Sequence, residues 1–318
     1  DKVEQSMCFA SPSERLKFFT RLANETTKRG VVDVLRKGYK FNGSTFDLYY
    51  PLPSDLNPSA KKAYGQNIFG VIRQVMYSKA NTNEIDFVVF VNGLPLATFE
   101  LKNNFTGQTY ENAIKQYQTD RDPKELLLQK KRCAVHFALD DQQVWMCTAL
   151  AGKDSWFLPF NRGVNGGAGN PVVENDTMTS YLWKDILTKP TLSNIIENFA
   201  QVVVNEVKDK KTGKARTIEK VIWPRYHQLD AVRMLVKRTQ RCGIGKRFLI
   251  QHSAGSGKSN TITWLAYQLV MLLKNQEPLF DSVIVVTDRV NLDRQIRDNI
   301  NAFRRLSNIV GWADKSET

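Results

Sequence analysis

Three charged residues interrupt an otherwise apolar stretch that reads Glu84-Ile-Asp-Phe-Val-Val-Phe-Val-Asn-Gly-Leu-Pro-Leu-Ala-Thr-Phe-Glu-Leu-Lys102: Asp86, Glu100 and Lys102. A charge inside a buried strand is costly unless it is paired or bound to a metal, so all three are candidates for chemistry. Glu100 and Lys102 are two apart, which in a strand puts both on one face. A second cluster, His252-Ser-Ala-Gly-Ser-Gly-Lys-Ser259, lies between the apolar run 247–251 and a stretch of helical spacing that reaches about residue 274. Strand, glycine loop, Lys-Ser and helix in that order make a phosphate cradle. The amides of the loop and helix N-terminus hold the phosphates, Lys258 reaches the β and γ groups, and the Ser259 hydroxyl ligates Mg²⁺. Gly255, Ser256, Gly257, Lys258 and Ser259 are therefore the expected ATP-binding residues, with Ser259 also a metal ligand. His252 stands where the strict pattern has glycine.

Periodicity indicates the elements that must position these groups. Residues 13–37 predict two helices broken near Gly30. Residues 46–50 predict a short strand ended by Pro51 and Pro53, and residues 68–77 another. Asn92-Gly93 between two β-branched runs signals a hairpin. Residues 110–117 predict a helix, and residues 133–139 and 144–148 predict strands joined at Asp140-Asp141. The first part is thus mixed α/β, with helices packed on a small sheet. The glycine-rich segment 162–171 lacks a following Gly-Lys-Ser and reads as a flexible connection. Residues 176–206 read as helical. The basic stretch 208–216 reads as a hairpin tip, a linker or a nucleic-acid contact. Strands at 247–251 and at the start of 282–293 complete the expectation.

The chain of 318 residues is long enough for about two domains with real cores. Its 42% hydrophobic and 24% charged content fits a globular protein. No apolar run approaches the ~20 residues that cross a bilayer, so no membrane partner is expected. Cys8, Cys133, Cys147 and Cys242 form no C-x-x-C pair and read as reduced thiols in a cytoplasmic setting. With only His136, His227 and His252, zinc is disfavoured. Of the net charge of +13, residues 201–318 hold +10, from 21 basic and 11 acidic groups. That favours a polyanionic partner for the later part of the chain.

An acid followed fourteen residues later by Glu-x-Lys resembles the PD-(D/E)xK nuclease superfamily. The resemblance implies that Asp86 and Glu100 hold Mg²⁺ and that Lys102 positions or activates the attacking water. Arg225-Tyr-His-Gln228 resembles the adenine-reading Q motif of superfamily 2 helicases, which implies Gln228 on the base with Tyr226 near it. Ser282-Val-Ile-Val-Val-Thr-Asp-Arg-Val-Asn-Leu-Asp293 resembles helicase motif Ia, which touches the DNA backbone. A nuclease hairpin ahead of a motor resembles the restriction (motor) subunit of type I restriction–modification enzymes. So do Phe99-Glu-Leu-Lys-Asn103, Gly167-Ala-Gly-Asn-Pro171 and Tyr181-Leu-Trp183.

The implied architecture is α/β: a PD-(D/E)xK endonuclease domain over residues 1–160, with a mixed sheet flanked by helices, a helical linker region over 161–216, and the first part of a RecA-like parallel α/β domain over 217–318. The implied protein is a bacterial or archaeal Mg²⁺-dependent endonuclease and ATP-driven translocase acting on double-stranded DNA. Methyltransferase and specificity subunits are its implied partners. The family's Gln-x-x-x-Tyr motif carries Gln116 into the catalytic set, but Asp120 stands at the tyrosine position and Tyr117 is expected to point elsewhere. An assisting upstream glutamate would be Glu4, Glu14 or Glu25. With no acidic Walker B segment in the sequence, ATP turnover by this chain is expected to be negligible. The competing reading is a helicase-like nucleic-acid-binding ATPase module whose N-terminal domain is only a scaffold.

The hairpin register separates the two readings. With a plain two-residue turn at Asn92-Gly93, paired positions sum to 185, Asp86 faces Phe99, and Glu100 points to the other side of the sheet. A shared metal requires a sum of 186. An odd loop or a β-bulge is therefore expected, and Pro95, which donates nothing to a ladder, supports an irregularity there.

Overall fold

Six strands, each beside its neighbour in sequence, form the sheet that carries the charged stretch. They are preceded by the small hairpin of β1 (Tyr39–Phe41) and β2 (Ser44–Phe46) and comprise β3 (Phe69–Met76), β4 (Glu84–Val91), β5 (Leu94–Leu101), β6 (Val135–Leu139), β7 (Val144–Cys147) and β8 (Leu158–Pro159). Every neighbouring pair is antiparallel except β5 with β6. Parallel strands need a crossover, and helix Tyr110–Thr119 lies within this one. Its Ala113 and Tyr117 are fully buried in a core with Ile85, Val88, Leu128 and Ala138. The crossover is closed by Asp140, which accepts N–H groups from Gln142 and Gln143 at the β6–β7 turn and from Tyr110 at the helix start.

The computed structural model describes residue 9 and residues 11–53, 57–208, 215–275, 277–288 and 290–302. The chain divides into two compact units, one of residues 1–202 with 220–223, the other of residues 203–219 with 224–318. In the first unit, helix α1 (Pro12–Arg29) begins at an Ser11 cap and ends at Gly30, whose φ of 89° starts a new helix, α2 (Val31–Lys37). The break near Gly30 is as expected. The strand expected at 46–50 is not formed beyond Phe46. Asn67 bonds both the N–H and the carbonyl of Tyr50, so a side chain replaces a strand partner.

The glycine-rich segment 162–171 is pinned rather than loose. Asn170 accepts from the Arg162 N–H and donates to the Gln142 carbonyl and to Asn161. Helix Lys189–Asn198 follows, but the expected helix to 206 gives way to β9 (Gln201–Lys208), which pairs with β10 (Ala215–Ile222). The run Gln201-Val-Val-Val is β-branched and suits a pleated strand better than a helix. Residues 209–214 of the basic stretch lie outside the described residues.

The second unit is built on helices Tyr226–Cys242, Lys258–Val270 and Val290–Ala302, with Trp264 of the second of them fully buried and a two-strand pairing of Leu273–Lys274 with Glu277–Pro278. The strands expected at 247–251 and 282–287 are not formed, and these segments pair with nothing in a sheet among the described residues. A strand exists only through its ladder, and here Leu249 is 93% and Val286 87% exposed.

Candidate active site

The β4–β5 hairpin turns at Asn92-Gly93, with φ of 50° and 83°. Both positive values are those of a type I′ turn, which favours Asn-Gly. Val91 faces Leu94 and Phe90 faces Pro95, but the register then shifts: Val89 faces Ala97, Val88 faces Thr98 and Phe87 faces Phe99. Leu96 is the extra residue, so the irregularity is a bulge in β5 beside Pro95. Paired positions change their sum from 185 to 186. Continuing that register sets Asp86 across from Glu100, on the face that also carries Val88 and Thr98.

That face is the one covered by helix Tyr110–Thr119. Glu100 is completely buried. Its Oε1 accepts from Nε of Arg121 at 2.6 Å, and its Oε2 is buried and meets no donor. Burial pushes the Glu100 carboxyl up to about 7; Arg121 opposes the rise, and Asp86 adds to it through its charge and a carboxyl–carboxylate hydrogen bond. The two carboxylates thus converge. Asp86 also accepts the Leu101 N–H at 2.7 Å. Lys102 follows at the strand end, half-buried, its N–H donating to the Leu139 carbonyl.

Two hard oxygen donors, one of them an orphaned buried atom, suit Mg²⁺, which takes one or two carboxylates and completes its shell with water or phosphate oxygens. Among the described residues no third carboxylate joins them into a larger cluster. Glu25 pairs with Arg21 and Arg29, and Glu14 accepts from Asn42. Glu4 lies outside the described residues.

On the covering helix, Gln116 is half-buried with its Oε1 buried and unpartnered. Asp120 is exposed, its carboxylate taking the Thr119 hydroxyl. Tyr117, expected to point elsewhere on the helix than Gln116, points into the sheet. Its hydroxyl meets Thr98 Oγ1 at 2.8 Å, and Thr98 meets His136 Nδ1 at 2.7 Å. Burial pushes the Tyr117 phenol well above its usual range, and the charge of Glu100 adds to that. A helix residue next to Gln116 sits a third of the way round the helix, and the two buried positions Ala113 and Tyr117 define the inward stripe. Arg121 was missed as well: it lies beyond the helix and meets Glu100 only through the fold.

In the second unit, Gly255 and Gly257 have φ of 72° and 80°, and helix Lys258–Val270 starts directly after them. Ser256 and Ser259 are buried. Lys258 Nζ donates to the carbonyls of Ser253 (2.8 Å) and His252 (3.2 Å), folding the ammonium over its own loop. Gln228, buried, donates to the carbonyls of Ser256 and Gly257 and accepts the Arg225 N–H. His227 also bonds the Ser256 carbonyl. Both ends of the Gln228 amide are therefore spent on the loop and the helix start, and contact with a base requires exchanging these bonds. Tyr226, buried, opens the same helix.

Comparison with known proteins gives two family matches in this order. Residues 17–155 match the type I restriction enzyme R protein N terminus, and residues 227–315 match the SWI2/SNF2 ATPase. Among similar proteins, a putative type I restriction enzyme MjaVIIIP endonuclease subunit of Methanocaldococcus jannaschii is 26% identical over 300 residues, 91% of this chain and 26% of the relative. The type I restriction enzyme HindI endonuclease subunit of Haemophilus influenzae is 26% identical over 252 residues, 76% of this chain and 22% of the relative. The chain spans about a quarter of the length of these relatives. Across residues 17–155 it is thus similar to the type I restriction enzyme R protein N terminus, with the ATPase match following.

Proposed function

We propose that the chain is the N-terminal part of the endonuclease subunit of a type I restriction enzyme, cutting unmodified duplex DNA with Mg²⁺ and coupled to an ATP-driven translocase. The observation that carries this is the Leu96 bulge, which brings Asp86 and Glu100 to one face with a buried carboxylate oxygen left open. Asp86 and Glu100 would hold the metal, and Lys102 would stabilise the charge that develops on the scissile phosphate. When bound, Mg²⁺ supplies a water acidified toward neutral pH and Lewis-acid polarisation of the phosphate. The Gln116 amide oxygen, buried and unpartnered, orients that water in this reading.

The glycine loop would hold ATP through Gly255, Ser256, Gly257 and Lys258, with Ser259 on its Mg²⁺. Gln228 and Tyr226 would read the base after Gln228 leaves the loop. Methyltransferase and specificity subunits would supply target recognition, in a bacterial or archaeal cytoplasm.

The test uses the full-length subunit assembled with its methyltransferase and specificity subunits. Glu100→Ala and Lys102→Ala should each end cleavage while leaving DNA-stimulated ATP hydrolysis intact. Lys258→Ala should end both. Cleavage that survives Glu100→Ala would remove the nuclease assignment.

A further inference from the structure

We propose that Arg121 is the positioning residue of the carboxylate pair: by holding Oε1 of Glu100 it leaves Oε2 as the atom presented to a divalent cation shared with Asp86. The proposal rests on the nuclease reading and deepens it, because Arg121 lies outside the acid and Glu-x-Lys pattern.

Three contacts fix the guanidinium. Nε donates to Glu100 Oε1 at 2.6 Å, Nη2 donates to the carbonyl of Glu84 at 2.6 Å, and the group lies 5.7 Å from the centre of the Tyr77 ring. Arg121 is only 7% exposed. Glu84 opens the strand that carries Asp86, so Arg121 ties the backbone of β4 to the side chain of β5 at the level of the pair. A planar fork does this where a point charge does not, since two N–H groups leave it in fixed directions.

The orphaned oxygen points to the ligand. Buried polar atoms nearly always have a partner, and Glu100 Oε2 finds no donor, since a hydrogen bond between Glu100 and Asp86 exists only while the pair holds a proton. With Oε1 already engaged by Arg121, an ionised pair has nothing within the protein to satisfy Oε2. A divalent cation supplies what is missing and also offsets the negative charge of Asp86 beside it. The alternative is that the guanidinium occupies the cation's place and leaves when metal arrives. The contacts to Glu84 and Tyr77 argue against it, because they involve no metal ligand and hold the guanidinium independently of the pair.

The test is Mn²⁺ binding by titration calorimetry to the chain, with thermal unfolding recorded in parallel. Asp86→Asn should abolish binding; equal affinity in wild type and Asp86→Asn, or none in wild type, would sink the site itself and this proposal with it. With the site standing, Arg121→Ala should weaken Mn²⁺ binding about tenfold or more, the range seen when partners of metal ligands are removed. Arg121→Lys should recover part of that loss, since it keeps the charge but not the fork. A purely structural arginine would lower the unfolding temperature and leave Mn²⁺ affinity unchanged, and a competing one would give tighter binding on removal; either result overturns the proposal. If Arg121→Ala does not fold, Arg121→Lys decides: a several-fold weaker affinity supports positioning, and wild-type affinity refutes it.

Discussion

His136 shows how a side chain can be tuned by packing without being part of the chemistry. It is fully buried on β6 with Nδ1 on Thr98 Oγ1, and burial lowers its pKa from 6.5 to about 3. The unfolded chain therefore binds more protons than the folded one between those values. Stability that is fully present above about pH 6.5 is lost as pH falls, by about 1.4 kcal/mol per pH unit for this group. Glu100, raised to about 7, contributes the opposite slope over the same range, so urea unfolding followed from about pH 7.5 to about pH 5 should show the His136 slope as the difference between wild type and His136→Asn. A slope unchanged by the substitution would place the proton uptake elsewhere. Gly257 is a second residue whose identity is dictated locally. Its φ is 80°, and a Cβ there would lie 2.5 Å from Gln228 Nε2. Gly257→Ala should weaken binding of a fluorescent ATP analogue by about tenfold, from left-handed strain alone of about 1–2 kcal/mol. Adding Gln228→Ala should relieve the clash but not the strain.

At the scale of the element, the hairpin is held by its turn residue as much as by its ladder. Asn92 Nδ2 donates to the Leu48 carbonyl and to Asn67, its Oδ1 accepts the Ile68 N–H, and its backbone sits at φ 50°. Asn92→Gly keeps the turn and loses the three bonds. We expect it to destabilise the chain by about 2–3 kcal/mol, measured by the shift in urea midpoint at constant slope; a neutral result would mean that turn geometry alone matters. How much of this was readable beforehand follows from range. The hairpin, the helix over the crossover and the need for a bulge were legible, because Asn-Gly, periodicity and strand pleat are local rules. The exact bulged residue was not, since several positions satisfy the same register. Arg121 and the inward turn of Tyr117 were not legible either, because the partners of both lie about twenty residues away and meet them only through tertiary packing. The strands at 247–251 and 282–287 were misread for a related cause: an apolar β-branched run supplies propensity, and a ladder needs a neighbour.

For the whole molecule, large apolar side chains are exposed in both units, Phe105 and Val172 of the first among them, but the second exposes two three-residue runs, 248–250 and 284–286. The first has a sheet with a helix packed on it and a fully buried core. In the second, Leu249, Ile284 and Val286 are each more than four-fifths exposed. Limited proteolysis of the chain should cut first within residues 244–290, and a dye that fluoresces on apolar surface should bind the native chain and lose that binding when the second unit is removed. Initial cleavage within the β4–β5 hairpin would contradict this order. No helix among the described residues is long and apolar enough to cross a membrane. The bulge at Leu96 also sets a parity rule on length. Side chains alternate with a period of two, so a change of one residue inside either paired strand between the turn and the carboxylates would send one of them through the sheet. Drift in the length of this hairpin is thus tolerated at its turn, where a longer loop leaves the pairing untouched, and within the strands an odd step is viable only when a second bulge absorbs it.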